Sequence, residues 1–272
     1  MVTDQAAKAA HFLELHHRDT PLLLPNPWDP GSARLFASIG FEALATTSSG
    51  HSAALGRLDG GVTREEALGH AGILVAATPL PVSADLENGF ADEPAGVAET
   101  VRLAIEQGLA GCSVEDFSGR DNQPIYDAGL AADRVAAAAE TAHAGPVHLV
   151  LTARAENHLH NHPDLGDTIT RLQTFQEKGA DVLYAPGLTE MDDIRAVVES
   201  VDLPVNVLAL PGAPRVSELA EVGVKRISVG GGFSLVALGA VAEAAGEFLN
   251  EGTYRFWKTA AAGAAARDAA FS

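Results

Sequence analysis

The chain has 272 residues, 47% of them apolar and 20% charged, with 36 Asp and Glu against 18 Lys and Arg and a formal net charge of −18. That length suits one barrel of about 250 residues with a short extension. The charge repels phosphodiester backbones and anionic lipid, so neither nucleic acid nor a membrane is an expected partner.

A helix is expected over about residues 3–17, with no basic leader and long apolar stretch of the signal-peptide kind. Candidate strands follow at Pro21–Leu24, Glu42–Thr47, Leu80–Asp85, Cys112–Asp116, His148–Ala153, Asp181–Ala185, Pro204–Leu210 and Arg226–Gly230. Each is short and rich in Val, Ile, Leu or Ala, with little polar alternation, as in parallel strands buried on both faces. Between them apolar residues recur at helical spacing: Val97, Val101, Ala104 and Ile105, then Leu165, Ile169, Leu172 and Phe175, then Ile194, Val197, Val198 and Val201. Gly108, Gly179 and Gly223 follow three of the helical stretches, where a left-handed cap is expected.

Eight strands alternating with helices predict an α/β fold, a (β/α)8 TIM barrel in one domain over residues 1–272. No apolar run approaches the ~18 residues of a membrane span. The extension over about 250–272 holds a further helix near Tyr254–Arg267, whose Tyr254, Phe256 and Trp257 need covering, by a neighbouring subunit or by the chain's own barrel. The single cysteine, Cys112, cannot form an intrachain disulfide and reads as a buried core residue, so the expected location is the cytoplasm.

In such a barrel the reactive groups stand at the carboxyl ends of the strands. The second expected strand leads into Ser48-Ser49-Gly50-His51, the third ends in Asp85-Leu86-Glu87-Asn88-Gly89, and the fourth in Glu115-Asp116. The fifth ends in Arg154-Ala155-Glu156-Asn157, and the seventh contains Asn206. Four acids at two adjacent strand ends, with an arginine on the next, suit a hard cation and an anionic substrate. The planar fork of Arg154 matches a carboxylate or phosphonate. Gly50 and Gly89 let backbone approach a ligand. His51, beside Gly50 at the expected mouth, either exchanges protons or shapes the pocket. His158, His160 and His162 alternate, which on an extended segment puts them on one face, for a transition metal or for solvent ahead of Pro163. Gly230-Gly231-Gly232 closes the eighth strand, where barrels hold phosphate or where glycines permit tight packing.

Asn26-Pro-Trp-Asp-Pro-Gly-Ser-Ala-Arg, Thr47-Ser-Ser-Gly-His, Leu55-Gly-Arg-Leu-Asp59, Ala84-Asp-Leu-Glu-Asn-Gly-Phe, Val114-Glu-Asp and Thr152-Ala-Arg-Ala-Glu come in an order that resembles the isocitrate lyase / phosphoenolpyruvate mutase superfamily, from about Leu22 to Phe248. The resemblance implies a barrel whose terminal helix is swapped between subunits of a homodimer or homotetramer. It implies Mg2+, with Mn2+ as the alternative, and small anionic 2-oxo or 2-hydroxy acids handled through an enolate. Asp85 would be the principal metal-site acid, with Glu87 and Glu115 contributing directly or through waters. Arg154 would clamp the substrate carboxylate, and Ser49 and Gly50 would hold its other end. Asp59 would be a loop acid over the site, and Glu156 and Asn206 supporting or substrate contacts.

Two departures stand out. The superfamily commonly has Asp where this chain has Glu87. The loop after the fourth strand, Phe117-Ser-Gly-Arg-Asp-Asn-Gln-Pro-Ile-Tyr-Asp127, has neither the Lys-Lys-Cys-Gly-His stretch of the lyases nor the lysine of the mutases. Its proton donors reduce to Tyr126, Asp121, Asp127 or water. The expected activity is Mg2+-dependent carbon–carbon cleavage of a small di- or tricarboxylic acid, by retro-aldol reaction or decarboxylation. The rival readings are phosphorus–carbon mutase or hydrolase chemistry on phosphonopyruvate, and a non-catalytic barrel that binds a small acid.

Overall fold

The computed structural model describes residues 2–272. Eight strands run through it: β1 (Leu22–Leu24), β2 (Leu44–Ala45), β3 (Val82–Asp85), β4 (Gly111–Glu115), β5 (Val150–Arg154), β6 (Val182–Tyr184), β7 (Val205–Leu208) and β8 (Arg226–Ser228). All neighbours pair in parallel in the order β1-β8-β7-β6-β5-β4-β3-β2. Parallel strands need long crossovers, and helices supply them here. The ring is drawn together between β1 and β2 by the Ala45 N–H donating to the Pro25 carbonyl at 3.1 Å, and by the Asn26 amide donating to the Thr46 carbonyl at 3.0 Å. The fold is a (β/α)8 TIM barrel, and each expected strand overlaps an observed one.

Local sequence explains where helices begin and end. Over Pro30–Ile39, Asp29 accepts from the Ser32 N–H at 2.6 Å, and the Ser32 hydroxyl accepts from the Asp29 N–H at 3.1 Å. Pro30 opens this helix with its φ already set, and Gly40, at φ 106°, ends it in a conformation costly for other residues. Barrel residues such as Leu44, Val114 and Leu183 join Val101, Leu172 and Phe175 of the surrounding helices in one apolar core. The first helix, Val2–Leu15, packs Phe12 and Leu15 against Leu22, Val150 and Val182, the residues at the amino ends of their strands.

Just after that helix, His16 reaches the barrel interior. There Arg226 donates from Nε to Asn206 Oδ1 and from Nη1 to Thr152 Oγ1, each at 2.9 Å, and its Nη1 lies 3.3 Å from His16 Nε2. His16 Nδ1 lies 2.7 Å from the Phe12 carbonyl, so the proton sits on Nδ1 and Nε2 accepts from the arginine. Burial, then the Arg226 charge, push His16 down to about 3, and burial pushes Arg226 down to about 10.

At the other end of the sequence, the expected helix near Tyr254–Arg267 spans Trp257–Phe271 and lies against the helix over Pro30–Ile39 of its own chain. Its Phe271 ring stands 3.6 Å from where a Cβ on Gly31 would be. Tyr254 and Trp257 stay exposed. The helix over Gly232–Glu251 corrects one expectation: its 20 residues are long and apolar enough, by composition, to cross a membrane. Alanine and glycine dilute the apolar run in the sequence, and Glu243 and Glu247 interrupt it. Leu235, Val236, Val241, Phe248 and Leu249 stand exposed along this helix.

Candidate active site

The carboxyl ends of the strands surround two adjoining chambers. The inner one, about 160 Å³, is lined by Ser48, Ser49, Asp85, Tyr184, Ser228 and Gly230 among others. The outer one, about 320 Å³, is lined by Glu87, Glu115, Phe117, Glu156 and His160 among others. Ser48, Asp59, Arg154 and Leu159 belong to both walls.

Arg154, the last residue of β5, stands between the chambers with its side chain 14% exposed. Its Nη1 lies 3.0 Å from Asp85 Oδ1, its Nη2 3.1 Å from Glu115 Oε2, and its Nε 2.7 Å from Glu156 Oε1. The register of the sheet dictates this convergence, because Arg154 sits opposite Glu115 on β4 and Tyr184 on β6. The guanidinium carbon is 5.1 Å from the centre of the Tyr184 ring, a cation–π placement that fixes the plane of the fork. Burial pushes the Tyr184 hydroxyl up to about 12, so it stays protonated.

Asp85 ends β3, accepts from the Ser48 N–H at 3.1 Å through Oδ2 and from the Glu87 N–H at 3.3 Å through Oδ1. Glu87 follows in a left-handed turn, φ 48°, and one of its buried oxygens, Oε1, has no hydrogen-bond partner. Burial, then the charges of Asp85 and Asp59, push its carboxyl up to about 7. Glu115 is raised well above the ordinary carboxylate range, first by burial, with Arg154 opposing and the neighbouring acids adding to the rise. Asp59 rides on the exposed loop after the short helix Ser48–Ala54, its carboxyl turned to the chambers. Desolvation there, partly offset by a hydrogen bond with Ser48, raises its pKa.

Several expected site residues lie elsewhere. The Gly50 N–H is taken by Thr47 Oγ1 at 3.2 Å, closing the helix cap, and only glycine fits: a Cβ would lie 2.6 Å from Thr47 Cγ2. His51 lies behind Asp85 and Glu87, stacked on His70 with centroids 3.8 Å apart, and its pKa is lowered by burial. Asn206 is buried beneath the inner chamber, bonded to Arg226 and to Ser228 Oγ. The Tyr126 hydroxyl donates to Asp92, and its ring is covered by Arg134 at 4.1 Å, away from both chambers. Asp116 turns outward to Arg171 at 3.1 Å, since successive strand residues face opposite ways.

The loop after β4 folds back on itself, with Phe117 bridging Ile125 and the Ser118 N–H donating to the Pro124 carbonyl at 2.7 Å. The three alternating histidines do not share a face, because residues 157–161 form turns and Asn161 has φ 62°. Only His160 lines the chambers. Gly231 lets Ser49 approach, since a Cβ there would stand 2.9 Å from Ser49 Oγ. Sequence reasoning gave no wall position to Ser48, Tyr184, Leu159 or Phe117, and read His160 only as one of three alternating histidines. For Tyr184 the pairing with Arg154 was the available signal.

The donor set fits a hard cation. Asp85, Glu87 and Glu115 present oxygen ligands only, an oxygen of Glu87 is orphaned, and five carboxylates including Asp59 and Glu156 surround one guanidinium. A second group of potential ligands, His143, His148 and Asp181, lies at the opposite end of the barrel, ahead of β5 and β6. Its imidazoles stack 4.0 Å apart at 9°, with Nε2 atoms 3.0 and 2.8 Å from the two oxygens of Asp181. Nearly parallel rings direct their lone pairs side by side rather than at one point.

Comparison with known proteins agrees with the barrel and identifies a family. An uncharacterized protein of Mycobacterium tuberculosis (strain H37Rv) is 34% identical over 224 residues, covering 80% of this chain and 81% of that protein. A Burkholderia cenocepacia J2315 structure, provisionally described as a lyase/mutase, shares 50% identity and a TM-score of 0.92, covering 94% of this chain and 92% of the other. The structure of 2,3-dimethylmalate lyase, described as a PEP mutase/isocitrate lyase superfamily member, gives 25% identity and a TM-score of 0.82, covering 91% and 89%. Residues 12–249 match the phosphoenolpyruvate phosphomutase family. With the barrel, the strand-end acids and that match in agreement, the chain belongs to the phosphoenolpyruvate phosphomutase family, within the PEP mutase/isocitrate lyase superfamily.

Proposed function

We propose that this chain is a Mg2+-dependent carbon–carbon lyase that cleaves a small 2-oxo or 2-hydroxy di- or tricarboxylic acid, by retro-aldol reaction or decarboxylation, through an enolate. One observation carries the reading: a single guanidinium at the junction of two small chambers, within 3.1 Å of three different carboxylates. Asp85, Glu87 and Glu115 would hold Mg2+, or Mn2+ in its place, directly or through waters. When bound, the cation supplies positive charge beside the oxygens of the reacting acid.

Arg154 does the rest of the electrostatic work. Its Nε is fixed by Glu156, whose buried carboxylate is 1% exposed, so the plane of the fork is set before a substrate arrives. Nη1 and Nη2, which lie beside Asp85 and Glu115, each carry a second N–H, and these are the two donors a substrate carboxylate would take. As the carbon–carbon bond breaks, the electron pair becomes an enolate beside this guanidinium. A preorganised guanidinium stabilises that charge far better than solvent does. Ser48 and Ser49 hold the far end of the acid, and Asp59 covers it from the loop.

The chain acts in the cytoplasm as a homo-oligomer. The apolar side chains left open along Gly232–Glu251 are covered by a second copy, in a homodimer or homotetramer, rather than by lipid. A panel of 2-oxo and 2-hydroxy acids with Mg2+, read by pyruvate, oxalate, CO2 and phosphate release, tests the reading. Release of pyruvate, oxalate or CO2 supports it. Phosphate from phosphonopyruvate alone would move the reaction to the phosphorus–carbon bond. Binding of oxalate without turnover of any acid would make the barrel a binding protein.

A further inference from the structure

Enolate chemistry needs a proton returned to carbon, and the loop that supplies reactive groups in the superfamily has neither cysteine nor lysine here. Tyr126 is committed to Asp92 outside the chambers, and Asp127 accepts the Gly129 N–H at 2.9 Å as a helix cap. His160 is differently placed. It lines the outer chamber together with Arg154, Glu115 and Asp59. Its ring lies flat on Phe117, with centroids 3.5 Å apart and planes 4° from parallel, so the loop after β4 fixes its orientation. Its Nε2 stands 3.5 Å from Glu156 Oε2, while the other oxygen of that carboxylate is bonded to Arg154 Nε.

We propose that His160 is the proton donor to the enolate carbon, standing in for the loop group the chain lacks. This rests on the enolate reading given above. Glu156 serves both partners: one oxygen orients the arginine that binds the acid, and the other stands beside the imidazole. At 3.5 Å the Glu156 oxygen makes no hydrogen bond with the ring, which leaves Nε2 free to face the chamber's contents. In the step itself the carbon–carbon bond breaks, and its electron pair remains as the enolate on the fragment gripped by Arg154. The Nε2–H proton then passes to the enolate carbon, leaving neutral imidazole. After decarboxylation the imidazole is recharged by a solvent proton, matching the one proton consumed. After a retro-aldol cleavage the substrate hydroxyl proton balances it.

The test uses pyruvate and Mg2+ in D2O, with exchange of the methyl protons followed by NMR. The unmodified protein should exchange them, and His160→Gln should slow this by on the order of 10²-fold or more. His160→Gln should keep its melting temperature and its thermal shift with Mg2+ and oxalate, and added imidazole should restore exchange to His160→Ala. His162→Gln, on the exposed side of the same turn, should exchange like the unmodified chain. Absence of exchange in the unmodified protein overturns the inference. So does exchange in His160→Gln within about threefold of normal, far short of a general acid's contribution. Exchange that depends on His160 while no acid in the panel is cleaved would instead remove the lyase reading. Cleavage that survives His160→Gln removes only the role given to His160.

Discussion

Replacing Arg154 by methionine probes both the fold and the site. The guanidinium lies 3.0, 3.1 and 2.7 Å from Asp85, Glu115 and Glu156, whose side chains are 15%, 10% and 1% exposed. Removing one member of a buried pair costs about 3–5 kcal/mol, because the partner is left charged and undissolved. Three acids lose their cation here, so the upper part of that range, about 4–5 kcal/mol, is expected near pH 8 without metal, a fall in Tm of roughly 8–20 °C. The loss should shrink towards about pH 5, since uncompensated carboxylates in the folded chain take up protons and relieve the repulsion. Mg2+ should restore most of the stability, while the thermal shift caused by oxalate should not return. Arg154→Lys keeps the charge without the planar fork, so it should retain the stability better than it retains oxalate. Differential scanning fluorimetry and urea denaturation at the two pH values read all of this. A loss under about 1 kcal/mol, the range of an exposed pair, or an unchanged oxalate shift, would refute the reasoning.

Four further outcomes follow from the same contacts. Gly50→Ala places a Cβ 2.6 Å from Thr47 Cγ2 and should cost about 1–3 kcal/mol in urea denaturation, against none if the cap simply relaxes. His16 is held down to about 3, below the ordinary histidine range, so between about pH 6.5 and 3 the unfolded chain binds the extra proton. Its stability contribution is complete above about pH 6.5 and falls by about 1.4 kcal/mol per unit below it; His16→Gln should flatten that limb, and an unchanged slope would refute it. Glu87 has the opposite sign: raised to about 7, it keeps its proton in the folded chain while the unfolded chain loses it, so its own contribution to metal-free stability should fall as pH rises from about 4.5 to 7. Glu87→Gln should make the slope of stability against pH in that window more positive by up to about 1.4 kcal/mol per unit, and an unchanged slope would refute the assignment. Val236→Glu with Val241→Glu, on the exposed apolar helix, should convert a homo-oligomer to monomers by light scattering, and an unchanged mass would put the contact on another face.

Much of the barrel was legible because parallel strands buried on both faces leave short, apolar-rich runs with little polar alternation, even where Asn206 interrupts β7 and Arg226 and Ser228 flank Ile227 in β8. The ends of strands were less legible. The run Glu42–Thr47 reduces to Leu44–Ala45 because Thr47 caps a helix at once, and the cap's signal, a threonine three residues before Gly50, is weak without the fold. Glu115 and Asp116 look alike as neighbouring acids. Strand parity sends one to Arg154 and the other to Arg171, and that parity was readable from the pairing with β5. His160 was legible only as one of three alternating histidines, since the turn that brings it onto Phe117 depends on Asn161 at a positive φ. Tyr126 and Asn206 carry suitable chemistry at suitable places in the sequence, yet Asp92 and Arg226 claim their polar atoms.

The most direct measurement is a crystal structure with Mn2+ and oxalate, the metal located by its anomalous scattering. The expected result is one strong Mn2+ peak at the oxygens of Asp85, Glu87 and Glu115, directly or through waters, with an oxalate carboxylate on Arg154. A peak confined to His143, His148 and Asp181, or oxalate bound away from Arg154, would contradict it.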